Sequence, residues 1–374
     1  MRASATRLSA KPSRTVFYSV AAQWDNLGDI EIRNAALGWV RETSADVIAY
    51  SGSMPPAYLA AFDSDEKVRF VSSPVRYQAL LWSHLLRRRA SIVFAPGPQV
   101  FGPSAKAIGK SLVNLINVAA VRASGGAVLA VGRSLRGRGG LARRVEAVVV
   151  SVFHLYVVRD TRSAEVLGED LVNAPDLAFA HDFGESNAAG ARTDVVISLR
   201  GDRPVGVEGL RKVVGHLRSQ GLNPVFVTQV KRDDDQHRDL GHSLNIPTVL
   251  WEDHTHLEQL ERARGAYAHA GVVLSNRLHA LIFGIQHGAS PIAVLDLASD
   301  KLTSTLRPWV ELRVTNPDFD RLDDSEWPSV EILPPVGQVE AEAERARVAL
   351  ADVERQFLRL LDTSKNVSLA EATV

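Results

Sequence analysis

Gly271-Val272-Val273-Leu274 runs directly into Ser275-Asn276-Arg277-Leu278-His279, and by Pro291 a second apolar run, Pro291 to Leu295, has begun. The first run is short, apolar and β-branched, as a strand buried on both faces should be. The segment between the two runs carries apolar residues at Leu278, Leu281 or Ile282, and Ile285, the period of a helix, and Gly288 supplies its stop. Strand, helix and strand in so short a stretch make a crossover unit, the connection that parallel strands require. The fold class is therefore α/β.

The same alternation extends in both directions. Upstream, Asp194 to Leu199, Pro224 to Thr228 and Thr248 to Trp251 read as strands of the same series. An earlier series comprises Thr15 to Val20, Val47 to Tyr50, Ser91 to Ala95, Ala127 to Val131 and Leu155 to Val158, with helix-length amphipathic stretches between them. Between the two series Gly184 to Arg192 is small, polar and without period, which predicts an interdomain linker. The expected organisation is a loose tail over 1–14, a Rossmann-like domain over 15–185, a second over 193–335, and a terminal helix and tail over 336–374. That helix comes after Pro334-Pro335, reaches about Asp362, and sets Leu350, Val353, Phe357, Leu360 and Leu361 on one side. Two doubly wound domains facing across a cleft, with a C-terminal helix after them, is the GT-B plan, with the active site where the C-terminal ends of both sheets meet.

A chain of 374 residues suits two cores better than one, and 45% hydrophobic with 23% charged residues describes a folded globular protein. Lysine and arginine together number 43, as do aspartate and glutamate, so no global field favours nucleic acid or an anionic membrane, and any anion site must be local. Without cysteine there is no disulfide, thiolate nucleophile or cysteine-ligated metal. The N-terminus lacks the apolar segment of a signal peptide, and Ala147 to Val158 and Ala280 to Ile285 are too short or interrupted to span a bilayer. The expectation is a cytoplasmic protein, free or peripheral at the inner membrane face, with no transmembrane segment.

Three strand-to-helix junctions carry the residues with chemistry, because free N–H groups at such junctions line the functional edge of a parallel sheet. At the first, Ser275 is expected to cap a helix whose opening turn holds Arg277 and His279. Cations are unfavourable there unless an anion binds, so the pair marks an anion site; the bland alternative has Arg277 covering the helix surface and His279 bonded to a backbone carbonyl. At the second, Arg159-Asp160 ends the strand Leu155 to Val158, with Asp160 or Thr161 as cap; Arg159 is either a ligand or a structural partner of Asp160 or another carboxylate. At the third, Trp24-Asp25-Asn26-Leu27-Gly28-Asp29, Gly28 permits close backbone approach and Asp29 suits a helix start near that residue. Lys301, after the last strand, offers a further cation at the same edge.

Other signals are weaker. Gly132 to Gly140 holds three arginines among glycines but lacks the Gly-Lys-Ser/Thr of a phosphate loop; it reads as a solvated loop, the alternative being a grip on phosphate of a donor or of a lipid-linked acceptor. His254-Thr255-His256 lacks a third ligand, Asp233 to Asp235 reads as a loop face, and no metal is expected at either. Arg87 to Arg89 reads as a helix end.

Taken in order, Asn26-Leu27-Gly28-Asp29, Arg159-Asp160 with Ser163 and Leu167, Asp176-Leu177-Ala178-Phe179, and Ser275-Asn276-Arg277-Leu278-His279 with Gly288, Pro291 and Lys301 resemble the polysaccharide pyruvyl transferase family. The resemblance implies a GT-B-like fold, phosphoenolpyruvate as donor, a sugar hydroxyl pair as acceptor, free or lipid-linked, and a pyruvate ketal as product. It implies substrate-binding roles for Arg159, Arg277 and Lys301 around the donor, with Asn26 and Gly28 nearby. His279 is then the candidate acid–base residue and Asp29 its partner at the acceptor hydroxyl, with no metal or other cofactor required. At Ala95-Pro96-Gly97-Pro98 the sequence departs from the family's more usual glycine cluster. The competing readings are a GT-B glycosyltransferase using a nucleotide sugar and a noncatalytic sugar- or phosphate-binding protein.

Overall fold

Valine, isoleucine and leucine runs that bury both faces need cover on both sides, and the structure supplies it with two parallel sheets flanked by helices. The computed structural model describes residues 14–62, 66–137, 139–167, 171–181, 192–203, 205–295, 301–316, 319 and 337–363. The expected tail apart from Arg14, the linker apart from Arg192, Pro334-Pro335 and the chain after 363 lie outside the described residues.

The first sheet comprises β1 (Thr15–Ser19), β2 (Asp46–Tyr50), β3 (Val68–Val71), β4 (Ala90–Phe94), β5 (Gly97–Phe101), β6 (Val128–Gly137), β7 (Leu155–Val158) and β8 (Val172–Asn173). Its order is β3-β2-β1-β4-β6-β7-β8, with β5 paired to the far end of β6. The second comprises β9 (Asp194–Ser198), β10 (Asn223–Val227), β11 (Thr248–Val249), β12 (Ala270–Ser275), β13 (Ser290–Val294) and β14 (Arg313–Thr315), in the order β11-β10-β9-β12-β13-β14. In each, the order reverses beside the first strand of the series, at β1/β4 and at β9/β12, and these switch points open crevices at the C-terminal strand ends.

Two expectations are corrected. Gly132 to Gly137 is not a loop: β6 continues through it, because β4 resumes as β5 after Ala95-Pro96 and offers Arg133 to Gly137 a parallel partner. Arg133 is buried there, donating to the Ala95 carbonyl and to Gln99. Asp233 to Asp235 is not a loop face: Asp233 and Asp234 are buried, the latter accepting the Trp251 and Glu252 N–H groups at 2.8 Å each. Each half keeps an apolar cluster of its own, around Ile92 and Val128 in the first and around Ile197 and Phe226 in the second, and a further cluster joins them. The largest apolar cluster runs from Val16 and Tyr18 of β1 through Phe179 and the helix Leu278–Gln286 to Val353 and Phe357.

The terminal helix, Gln338–Thr363, is part of that continuity. Leu350, Val353, Phe357 and Leu361 are buried, and Phe357 meets Trp39 of the first half edge-on, ring centroids 5.6 Å apart. Gln286 completes the junction, its amide donating to the carbonyls of Ala178 and His181 at 2.7 Å each. The helix bearing Gln286 is apolar on every side and buried almost throughout, as the central element between two halves must be.

Candidate active site

The loop after β1 reaches across to the other half. Leu27 N–H donates to the Gln229 carbonyl at 3.0 Å, Lys231 N–H donates to the Asp25 carbonyl at 2.9 Å, and Arg232 grips Asp25 at 2.8 and 3.0 Å. The helix Leu27–Arg41 then begins, two residues before the expected start near Asp29, because Asn26 caps it by accepting the Gly28 N–H at 3.1 Å. Asp29 in its first turn pairs with Arg33 at 3.0 Å. A side chain on Gly28 would put its Cβ 1.8 Å from Nδ1 of His279, so only glycine allows the two halves this approach.

On the opposite wall the helix begins later than expected. Ser275 does not cap it: its hydroxyl donates to the Ser198 carbonyl at 2.5 Å and accepts the Arg277 N–H at 2.9 Å, tying β12 to β9. Arg277 is itself the N-cap residue, and the first turn opens at Leu278. The Arg277 guanidinium meets Asp233 through Nε at 2.9 Å and Nη2 at 2.6 Å, a bidentate pair against a fully buried carboxylate. Burial pushes the Arg277 pKa down, against the opposing pull of Asp233.

Arg159, at the end of β7, is also paired, with Asp176 at 2.5 Å rather than with Asp160. Asp160 instead accepts from Ser163, N–H and hydroxyl, as a cap. Burial alone would raise the Asp176 pKa, but Arg159, the nearby His279 and the Ala178 N–H hold it well below the usual carboxylate range. His279 Nε2 lies 3.8 Å from the second Asp176 oxygen, an ion-pair separation longer than a hydrogen bond, and this buried nitrogen makes no hydrogen bond among the described residues.

These groups line one cavity of about 290 Å³. Asn26, Asp29, Arg136 and Arg159 reach it from the first half, and Arg200, Arg277, His279 and Lys301 from the second. Lys301, first residue of the short helix Lys301–Leu306, is open to solvent yet walled in by the cleft. Burial among protein atoms, with Arg159 and Arg136 nearby, brings its pKa down to about 7. A second cavity of about 480 Å³ adjoins, sharing Arg136 and Lys301 and otherwise lined by Phe101, Pro103, Leu135 and Val166 among others. Of the residues expected from sequence, Asn26, Asp29, Arg159, Arg277, His279 and Lys301 thus converge, and Gly28 backs His279. Sequence reasoning gave no role to Arg200 or Asp233; Arg136 was marked only through the phosphate-grip alternative for Gly132 to Gly140, and Asp176 only through the motif Asp176-Leu177-Ala178-Phe179. Among the described residues no group of three or more histidine or acidic side chains is placed to hold a metal ion.

The fold has solved counterparts. A glycosyltransferase from Rickettsia africae ESF-5 is 12% identical, with a TM-score of 0.57 over 95% of this chain and 100% of the other. TcCGT1, solved with UDP, is 8% identical, with a TM-score of 0.54 over 94% and 100%. S. aureus MnaA, also solved with UDP, is 10% identical, with a TM-score of 0.51 over 93% and 97%. No curated protein matches the chain in sequence. Two doubly wound sheets meeting at a cation-rich cleft, with a C-terminal helix, place the molecule in the GT-B class. The model of the polysaccharide pyruvyl transferase family matches residues 26–295, and the chain belongs to that family.

Proposed function

We propose that the protein transfers the pyruvyl group of phosphoenolpyruvate to a pair of sugar hydroxyls, forming a pyruvate ketal on a glycan precursor in the cytoplasm. The observation that carries this reading is the convergence of cations from both sheets around one half-buried histidine. Phosphoenolpyruvate bears a phosphate and a carboxylate close together, so several fixed guanidinium groups suit it better than a single lysine.

In the proposed reaction C3 of the donor gains a proton and C2 takes one sugar oxygen, whose proton is lost. Phosphate leaves as the second hydroxyl closes the ring and gives up its proton to the departing phosphate, so one donor and one diol give one ketal and inorganic phosphate. His279 is the proposed proton donor to C3, facing Asp176 on one side and the Gly28 backbone on the other. Asp29, on the cavity wall, is its proposed partner at the acceptor hydroxyl. Arg277 and Arg159 would hold the donor, each oriented by its own aspartate, and Lys301 would assist departing phosphate.

The test is incubation with phosphoenolpyruvate and a panel of glycosides, with mass spectrometry of the products. A pyruvyl adduct and equimolar phosphate are expected. Thermal stabilisation by nucleotide sugars, none by phosphoenolpyruvate, and no adduct would overturn the reading in favour of glycosyl transfer.

A further inference from the structure

The helices Pro74–Leu86, Ala105–Ala123 and Gly140–Ser151 cover one side of the first sheet, over the apolar cluster that contains Leu81, Leu85, Val118, Val121 and Val149. They are tied together by paired Gln78 and Asn117 amides at 2.6 and 3.1 Å, and by Ser111 donating to Glu146 at 2.9 Å. With the core side satisfied, their outward sides should be polar. They are not. Val75, Trp82 and Leu86 form a helical stripe on the first, Leu112, Val113 and Ile116 on the second, and Leu141 and Val148 on the third, from 41% exposed at Trp82 to 87% at Leu86.

The charges on this layer are of one sign. The three helices hold Arg76, Lys106, Lys110, Arg122, Arg143 and Arg144, all exposed, against a single acidic residue, Glu146, which is buried. The first three long helices of the second half, Val207–Ser219, Asp234–Leu244 and His256–Ala268, balance six basic residues with six acidic ones. Only Val207 and Leu257 among them are large exposed hydrophobics. Since the whole chain is neutral, positive charge and exposed apolar surface have been gathered on one layer.

We propose that this three-helix face docks on an anionic lipid surface, its apolar stripes entering the headgroup boundary and its lysines and arginines meeting lipid phosphates. Charge complementarity selects that occupant: a second copy docked through the same patch would set cations against cations. Lipid offers both the negative charge and the apolar interior that the face lacks. The site is continuous with the layer, since Phe101, Gly102 and Pro103 line the second cavity just before Ser104 caps the Ala105 helix. Docking would therefore bring the mouth of the second cavity to the membrane. The inference does not depend on the donor chemistry.

Vesicle flotation of the full chain tests it. Mixed phosphatidylcholine and phosphatidylglycerol vesicles are expected to carry the protein at low salt, and pure phosphatidylcholine vesicles to leave it behind. Lys106→Glu with Lys110→Glu is expected to lower partitioning by at least about tenfold, given the attraction each basic residue feels near anionic lipid. Leu86→Ser with Ile116→Ser should lower it too. All four side chains are exposed, so melting temperatures should match the wild type, and Leu257→Ser on the other half should float normally. No flotation, equal flotation on neutral vesicles, or flotation untouched by both double variants overturns the proposal. So does a dimer that the same variants dissolve, which would assign the face to a second copy.

Discussion

Two arginine–aspartate pairs face the cleft, one from each half, and they are closed to different degrees. In Arg277–Asp233 both carboxylate oxygens are taken by the guanidinium fork, and Gly201 N–H adds a third contact at 2.8 Å, all within the second half. In Arg159–Asp176 the arginine engages one oxygen. The other accepts Ala178 N–H at 2.9 Å and faces His279 of the opposite half. Both aspartates are fully buried, so burial does not distinguish them. What differs is the remaining valence. The closed pair can only fix a cation in place, whereas the open one can also orient an imidazole of the opposite half.

The sharpest way to break this comparison is His279→Ala. If the open pair serves proton transfer, turnover should fall by on the order of 10²–10⁴-fold with donor affinity and melting temperature largely kept. Steady-state kinetics, calorimetric donor binding and a thermal melt measure the three, and wild-type turnover per folded molecule would refute the role. Gly28→Ala approaches the same geometry from the other side. Its Cβ cannot coexist with His279 as placed, so displacement should lower turnover by about 10²-fold. A normal rate would mean that the histidine's position is unimportant.

Arg277→Lys tests the closed pair. Charge is kept but the fork is lost, so the loss should appear in donor affinity, by about 1.5–3 kcal/mol, with turnover at saturation changed less. If turnover falls and affinity holds, the two pairs have been assigned the wrong way round. The smallest effect is expected from Lys301→Gln. The wild-type ammonium is present below its pKa of about 7 and lost above it, so donor affinity should weaken as pH rises through that value. The variant should lack this limb and bind a few-fold less tightly on the acid side, as linkage between protonation and anion binding requires. A pH series of donor titrations on both proteins decides the point.

The sheets were legible in the sequence because their central strands are apolar runs. Val16 to Tyr18, Val128 to Val131 and Val272 to Leu274 announce themselves without reference to any partner. The missed strands depend on tertiary pairing. Arg313 to Thr315 has no apolar pattern and exists because β13 offers an edge, and Arg133 to Gly137 looked like a loop because its stabilising partner, β5, lies thirty-odd positions upstream. The site was legible where cations stand at strand ends, as Arg159 and Arg277 do. Their counterions were not, since Asp176 and Asp233 lie 17 and 44 positions away and a buried carboxylate is written like an exposed one. Asp233 was misread for that reason: in an acidic run beside Lys231 and Arg232, composition points to solvent.

The apolar cluster that joins the halves bears on how the molecule comes apart. Two Rossmann-like units on a linker would ordinarily absorb heat in two steps, each melting around its own core. Here β1, the Leu278 helix and Phe357 belong to one packed body, so loosening either sheet exposes surface that the other needs. Scanning calorimetry should record a single endotherm whose van't Hoff and calorimetric enthalpies agree. On that view the terminal helix acts in thermal unfolding as the element that makes two units lose their structure together.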